Sequence, residues 1–447
     1  MDNVYAYITA TGLLLINIIT PVKGGELLDK IIVTGGNTIR GEVTISGAKN
    51  AVLPIIAGAL LSKDITILHD VPNLSDVRIM KEILEVLGAS VQFENHTMTI
   101  DCCNVSSVPA PYHYIQKMRA SVQIMGPLLA RFGKAKISMP GGCDFGNGRP
   151  INQHIKGFEL LGARVSYESN AAITLNAKDG LRGNFVYFDI ASVGSTINIM
   201  YAAAFAEGTT IIENAAREPH IVDTACFLNA CGANIMGAGT TTIRIKGVKK
   251  LHGCTYRIAP DMIEAGTYMI AGAMTGGTVT VKNIVPKHME AVTSKFREIG
   301  IPMEISDSYI TVKPTPEFRS VEIKANPYPG IPTDMQPQFS TLMTLAQGMS
   351  SISDGIYSTR FKYISDLKKM GANIDFDQKN SVLRIIGVPQ LTAAEVKAPD
   401  LRAGAALILA ALAADGITTV TNVELVERGY EHIIEKLRGL GALIKRG

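Results

Sequence analysis

The 447-residue chain has no tryptophan, and only 19% of its residues are charged. Lys and Arg number 43 against 40 Asp and Glu, a net charge of +3. A general nucleic-acid binder needs a far larger basic excess, so nucleic acid is not an expected partner. A local arginine cluster for an anionic small molecule remains compatible with this balance. Cysteine is sparse: Cys102, Cys103, Cys143, Cys226, Cys231 and Cys254 form no C-x-x-C pair, and no histidine stands at zinc-ligand spacing from them. So few in a chain this long argue against a disulfide framework and for a reducing, cytoplasmic compartment. No G-x-x-x-x-G-K-[ST] loop, no G-x-G-x-x-G after a strand and no H-E-x-x-H helix occurs, which removes the usual support for kinase, nicotinamide and zinc-hydrolase chemistry. The Gly-x-Ser-x-Gly elbow is also missing. The one long apolar run, Ile8 to Thr20, is too short to span a bilayer, lacks basic residues ahead of it and is followed by Pro21-Val22-Lys23. Residues 1–28 therefore read as an extension of uncertain status ahead of a domain starting near Asp29, with no stable membrane insertion expected.

What is present is apolar residues, 47% of the chain, and repetition. The length suggests two to three domains. A helix ending in Leu-Gly-Ala or a close variant, then a β-prone residue, recurs six times, with its glycine at 88, 162, 232, 300, 371 and 441. The spacings are 74, 70, 68, 71 and 70 residues. Glycine at that place fits a left-handed C-cap that stops the helix at low steric cost. A second element, an Ala/Leu-rich helix, a turn and a strand, recurs as in residues 202–212 and 410–420. Units of this size exceed ordinary solenoid repeats and are expected to pack as small α/β modules, three to a domain.

The repeat also locates a site. Just before each Ala-rich helix stand Lys49-Asn50, Arg119, Ser192, Asp261, Asp334, and Asp400 with Arg402. Helix N-termini present free N–H groups and the positive end of the dipole, which suit phosphate and carboxylate ligands. Aspartate there can be a plain N-cap, the reading favoured for Asp261. Lys49, Arg119 and Arg402 are poor caps, and a cation opposing the dipole calls for a reason such as an anionic ligand. The glycine-rich run from Gly141 to Pro150 holds Cys143 near Arg149. An electropositive setting would lower that thiol's pKa, although the bare pattern equally fits a surface loop with an inert cysteine. The other cysteines read as ordinary core or surface residues.

At Thr44-Ile45-Ser46-Gly47-Ala48-Lys49-Asn50-Ala51 the chain resembles the enolpyruvyl transferase family. Met118-Arg119-Ala120-Ser121, Pro140-Gly141-Gly142-Cys143, residues 207–218, Pro332-Thr333-Asp334-Met335-Gln336, Asp400-Leu401-Arg402-Ala403 and Glu427-Arg428-Gly429-Tyr430-Glu431 extend the likeness from about residue 28 to the C-terminus. The resemblance implies an α/β fold of two inside-out, barrel-like domains, each of three βαβαββ-type repeats, with the active site in the cleft between them. The first domain would be residues 49–259; the second would be discontinuous, residues 29–48 plus 260–447. It implies transfer of an enolpyruvyl group from phosphoenolpyruvate to the 3-hydroxyl of UDP-N-acetylglucosamine, with no metal and no cofactor. Lys49, Asn50, Arg402 and Arg428 would meet phosphoenolpyruvate, and Arg119 and Arg149 would serve the anions of the cleft. Cys143 would be the proton donor, open to an adduct with phosphoenolpyruvate, and Asp334 would take the proton of the sugar hydroxyl. Pro150, Ile151, Asn152, Gln153, Ser192, Val193, Gly194 and Ile356 would contact the uridine nucleotide, and Arg360 would match a further cleft arginine.

Three departures from the family pattern touch the loop or the nucleotide site. Cys143 and Arg149 are one residue further apart than usual, Asn152 stands where the pattern has Asp, and Ile190 stands where some members have Lys. These keep open a paralogous transferase for another uridine nucleotide and a weakly active nucleotide-sugar sensor. The shikimate-pathway transferase shares the architecture, but its Gly-Asn-Ala-Gly-Thr loop is missing here.

Overall fold

The computed structural model describes residues 30–106, 118–138, 151–168, 172–357 and 359–447. Cys143, Arg149 and Pro150 lie outside the described residues, as do residues 1–28. Among the described residues the six units of the sequence emerge as six small sheets of three or four strands, with Phe318–Arg319 and Ala346–Gln347 forming a seventh, two-stranded one. The third shows the pattern. Strand Phe185–Tyr187 runs parallel to Thr209–Glu213, which pairs antiparallel with Thr242–Lys246, itself hairpinned to Asn234–Met236. A parallel pair needs a crossover, here the helix Val193–Ala204, whereas antiparallel neighbours need only a tight turn. The fourth, fifth and sixth units repeat this plan.

The chain's first strands serve its later units. Gly41–Thr44 pairs parallel with Val279–Lys282, with Gly41 opposite Val279 and Thr44 opposite Lys282. Lys30–Thr34 sits between Ile417–Thr421 and Leu443–Arg446, antiparallel to both. Conversely, Thr255–Arg257 closes the first unit's sheet beside Thr66–His69. Buried apolar side chains accordingly form two clusters. One draws on residues 51–258, the other on residues 31–45 together with 263–444.

Helices form the centres. Lys49–Gly58, Val193–Ala204, Met262–Met274, Gln336–Met343 and Leu401–Ala413 are buried on nearly every face. Met262–Met274 and Leu401–Ala413 are apolar nearly all round, the signature of a helix surrounded by protein, whereas Gln336–Met343 is as deeply buried with Gln336, Gln338, Ser340 and Thr341 in it. Helices such as Ser75–Val86 and Glu290–Ile299 bury one stripe only. No helix among the described residues is long and apolar enough to cross a membrane.

The chain passes between the two cores at residues 46–48 and 259–261. These segments lie side by side: the Ala48 N–H donates to the Ala259 carbonyl at 2.7 Å and the Asp261 N–H to the Ser46 carbonyl at 2.9 Å. A Cβ on Gly47 would stand 2.1 Å from the Asp70 carbonyl oxygen, so only glycine fits this crossing.

All six repeat glycines adopt the left-handed conformation expected of them, with φ between +85° and +103°. The surroundings differ, which separates conformational from steric cost. A Cβ at Gly441 meets nothing within 4 Å, whereas one at Gly88 would stand 2.7 Å from the Asn104 carbonyl oxygen. Gly441→Ala should therefore cost only the left-handed penalty, about 1–2 kcal/mol. Gly88→Ala should cost distinctly more, as read from urea denaturation midpoints; equal losses would refute the distinction.

Candidate functional site

Each polar residue singled out ahead of an Ala-rich helix is found at such a helix start. Lys49 opens the helix Lys49–Gly58, whose N-cap residue, Ala48, offers no side-chain cap. Asp261 caps Met262–Met274, its Oδ1 accepting from the N–H groups of Ile263 and Glu264. Asp334 lies in the short turn Thr333–Met335 that leads into Gln336–Met343. Asp400 caps Leu401–Ala413 and so places Arg402 in the first turn. Ser192 caps Val193–Ala204. Arg119 begins a 3-10 run, Arg119–Ile124, that leads into Met125–Phe132, and its side chain lies outside the described residues.

Three helix starts from the second core converge on one from the first. Arg402, 1% exposed, reaches Asp334 Oδ2 through Nε at 3.2 Å and Nη2 at 3.0 Å. Arg360 Nη1 donates to Asp334 Oδ1 at 2.8 Å. Across the divide, Asn50 Nδ2 lies 3.4 Å from Asp334 Oδ2, and the Lys49 backbone N–H lies 3.3 Å from Asp261 Oδ2. The Lys49 ammonium turns the other way, to Asp76 Oδ2 at 2.8 Å. Asp76 is shared with Arg428, whose Nε donates to Oδ1 at 2.9 Å and whose Nη2 approaches Oδ2 at 3.3 Å. Thus Lys49, Asn50, Asp334, Arg360, Arg402 and Arg428 form one connected cluster.

Asp76 pairs with Lys49 and Arg428, and Asp334 with Arg360 and Arg402, while the capping carboxylates Asp261 and Asp400 act on Arg402 and Arg360 from close by. Burial pushes the Lys49 pKa below its ordinary value, against the pull of Asp76. Burial also pushes the Asp76 carboxyl up, but the Lys49 and Arg428 charges outweigh it and hold the group below the usual carboxylate range. Arg402 Nη1 is buried and makes no hydrogen bond among the described residues. A buried guanidinium N–H without an acceptor is costly, and an anionic oxygen would satisfy it. The Tyr430 ring centroid lies 5.4 Å from the guanidinium, and its hydroxyl is held by Thr267 and Gln338.

A second group lies around the starts of Asn152–Leu160 and Val193–Ala204. Gln153 and Asp189 exchange two hydrogen bonds, Nε2 to Oδ2 at 3.1 Å and the Asp189 N–H to Oε1 at 3.2 Å, and Lys156 joins Asp189 at 2.8 Å. Gly194 packs so closely on His154 that a Cβ would stand 3.0 Å from the imidazole. Val193 adjoins the Ser192 cap. Ile151 is buried, Asn152 is exposed, and Ile190 is 72% exposed beside Asp189. Ile356 belongs with the first cluster: its N–H donates to Asp354 Oδ1 at 2.8 Å, and Asp354 Oδ2 accepts from the Thr333 hydroxyl at 2.5 Å. Thr333 in turn accepts from Arg360.

Asp76, Thr333 and Asp354 were not among the residues expected in the site. Asp76 sits in the first turn of an amphipathic helix, where aspartate reads as a cap; only the fold shows that it faces two cations. The segment Glu427 to Glu431, one of those that carry the family resemblance, held the useful signal. Its Arg428 takes Asp76, its Tyr430 flanks Arg402, and its Glu431 accepts from Ser46 Oγ and the Asn73 N–H. It spans both cores.

Asp76→Asn would leave two cations without their counter-charge, and stability should fall by about 3–5 kcal/mol. Because folding depresses the Asp76 pKa, the native carboxylate's contribution is complete above its unfolded value of about 3.9 and fades as pH falls below it. The gap in urea midpoint between the native protein and the variant should therefore be full at pH 7 and narrow toward pH 3. A gap independent of pH would contradict the pairing.

The comparisons with known proteins agree with this geometry. A family model described as EPSP synthase (3-phosphoshikimate 1-carboxyvinyltransferase) matches residues 33–437. The chain is 50% identical over 420 residues to UDP-N-acetylglucosamine 1-carboxyvinyltransferase 2 of Clostridium acetobutylicum, covering 94% of this chain and 99% of that one. It is 49% identical over 421 residues to the UDP-N-acetylglucosamine 1-carboxyvinyltransferase of Clostridium botulinum, covering 94% and 100%. Among solved structures, the enolpyruvyl transferase NikO from Streptomyces tendae superposes with a TM-score of 0.85 at 24% identity, covering 94% of this chain and 99% of that chain. An EPSP synthase from Acinetobacter baumannii gives 0.75 at 18%, covering 94% and 100%. These two show the shared two-domain inside-out fold, and the sequence match shows the rest: the chain belongs to the enolpyruvyl transferase family, among the relatives of the UDP-N-acetylglucosamine 1-carboxyvinyltransferases.

Proposed function

We propose that the protein transfers the enolpyruvyl group of phosphoenolpyruvate to the 3-hydroxyl of UDP-N-acetylglucosamine and releases phosphate, the first committed step of peptidoglycan precursor synthesis. The observation that carries this reading is the cluster around Asp334. A carboxylate at the start of a helix is held by two buried arginines from its own core and touched by Asn50 from the other.

The reaction is an addition followed by an elimination at the middle carbon of phosphoenolpyruvate. The methylene carbon gains a proton, the middle carbon becomes electrophilic, and the sugar oxygen attacks it. A proton of the resulting methyl group then leaves with the phosphate, giving the enol ether. The addition needs a base at the hydroxyl and an acid at the methylene. Asp334 is the base in this reading, and Cys143 the acid. Lys49, Arg402 and Arg428 hold the phosphate and carboxylate of phosphoenolpyruvate, with Asn50 beside them. Arg119, Arg149 and Arg360 complete the cationic wall, for which the planar, bidentate guanidinium is well suited. These cations suit a polyanionic substrate, and arriving anions compete with Asp334 for Arg402, freeing the carboxylate to accept a proton.

The uridine nucleotide is assigned to Pro150, Ile151, Asn152, Gln153, Ser192, Val193, Gly194 and Ile356. Support comes from the close packing of the Asn152–Leu160 and Val193–Ala204 helix starts, whose N–H groups suit a diphosphate. Closing the cleft would exclude water and strengthen each ionic contact. A cytoplasmic location belongs to this reading, supported by the cysteine usage.

Purified protein should release phosphate only when both substrates are present. Asp334→Asn should lower kcat by about 100- to 10,000-fold, while UDP-N-acetylglucosamine still raises the melting temperature. Cys143→Ala should abolish release; a fully active variant would move the acid elsewhere. Nucleotide binding without any release by the unmodified protein would overturn the transferase reading in favour of a sensor.

A further inference from the structure

Cysteine outside the active-site loop has no part in this chemistry, yet the fold brings two thiols together that lie 23 residues apart in sequence. Cys231 Sγ and Cys254 Sγ stand 3.3 Å apart, with the Cys231 thiol donating to Cys254. We propose that Cys231 and Cys254 are a site of reversible disulfide formation by low-molecular-weight disulfides, in which Cys254 attacks and Cys231 resolves.

The roles follow from placement. Cys231 ends the helix Pro219–Ala230 and is 3% exposed, out of reach of a reagent in solvent. Cys254 directly precedes the strand Thr255–Arg257, is partly exposed, and can meet one. The thiolate is the attacking species. The hydrogen bond from Cys231 favours that form of Cys254 and lowers its pKa, whereas the same bond and burial push the Cys231 thiol up. Both backbones are already fastened. The His252 N–H donates to the Cys231 carbonyl at 2.9 Å, and the Ile67 N–H to the Cys254 carbonyl at 2.8 Å. From this frame the sulfurs need to close by only about 1.3 Å to reach the disulfide length of about 2.0 Å.

The chemistry balances as two exchanges. The Cys254 thiolate attacks one sulfur of a disulfide RSSR, forming the Cys254–SR bond while the first RS⁻ departs and takes up a proton. Cys231 then gives up its proton to solvent and attacks Cys254 Sγ, breaking the Cys254–SR bond and expelling the second RS⁻, which is protonated in turn. Two protein thiols lose two electrons and two protons, and one RSSR becomes two RSH. The cross-link would join the end of a helix to the strand that leads into the crossing at residues 259–261. The same helix is already tied there by Asp223, which accepts from the Tyr256 hydroxyl at 2.6 Å and the Ala259 N–H at 3.1 Å.

The test is incubation of the folded protein with glutathione disulfide, trapping of free thiols by alkylation, and non-reducing peptide mapping. A Cys231–Cys254 linked peptide that dithiothreitol abolishes is expected. Cys231→Ser should stop the reaction at glutathione on Cys254. Cys254→Ser should leave Cys231 unmodified. Alkylatable thiols at both positions, while the exposed Cys103 and Cys226 carry glutathione, would overturn the proposal. So would a cross-link joining Cys254 to Cys226 in place of Cys231. Cys143 is read separately in the same map, so its own oxidation does not bear on the result.

Discussion

The sharing of two carboxylates among four buried or half-buried cations is the constraint on which the rest of the site depends. Asp334 answers Arg360 and Arg402; Asp76 answers Lys49 and Arg428. Cations withdrawn from water are tolerable only with partners, and here each carboxylate is shared between two of them. The sharing lets an arriving anion take one cation while the carboxylate keeps the other. It also ties the two cores, since Asp76 belongs to one and Arg428 to the other, while Asn50 reaches Asp334 across the same divide.

The repeat explains why the cluster arises where it does. Each unit buries an Ala-rich helix, and each such helix must begin somewhere with its first N–H groups uncovered. Placing three units around each core gathers those beginnings. Asp261, Asp400 and Ser192 satisfy theirs with side-chain caps, whereas the helix opened by Lys49 has none from its own N-cap residue and takes one bond from Asp261 Oδ2 across the divide. Strands exchanged along the chain, Gly41–Thr44 into a later sheet and Thr255–Arg257 back into the first, hold the two cores on paired crossing segments. The site is thus built by elements rigid within each core and joined at residues 46–48 and 259–261.

Much of this was legible in the residues because local rules recur six times. Glycine at a helix end has one strong reading, and all six positions adopt positive φ. Polar residues before Ala-rich helices marked the helix starts, and Asp261 caps its helix through Oδ1 as expected, while its Oδ2 also faces the Lys49 N–H. What stayed hidden depends on approach across long sequence distances. Asp76 pairs with Arg428 over 352 residues, and nothing local separates it from an ordinary first-turn aspartate. Asp354 acts through Thr333 and Arg360, a chain that exists only once the turn at residue 333 packs against the strand Met349–Asp354. Cys231 and Cys254 looked inert one at a time and become chemically interesting only as neighbours.

The central claim is that the cationic cluster, and Arg402 Nη1 in particular, is where substrate anions bind. A crystal structure with phosphoenolpyruvate and a 3-deoxy analogue of UDP-N-acetylglucosamine, which lacks the attacking hydroxyl, tests it directly. The account predicts a phosphate or carboxylate oxygen within hydrogen-bond distance of Arg402 Nη1, with Arg428 or Lys49 on the same ligand. A phosphoenolpyruvate bound elsewhere, with Arg402 still paired to Asp334 and Arg428 to Asp76, would contradict it.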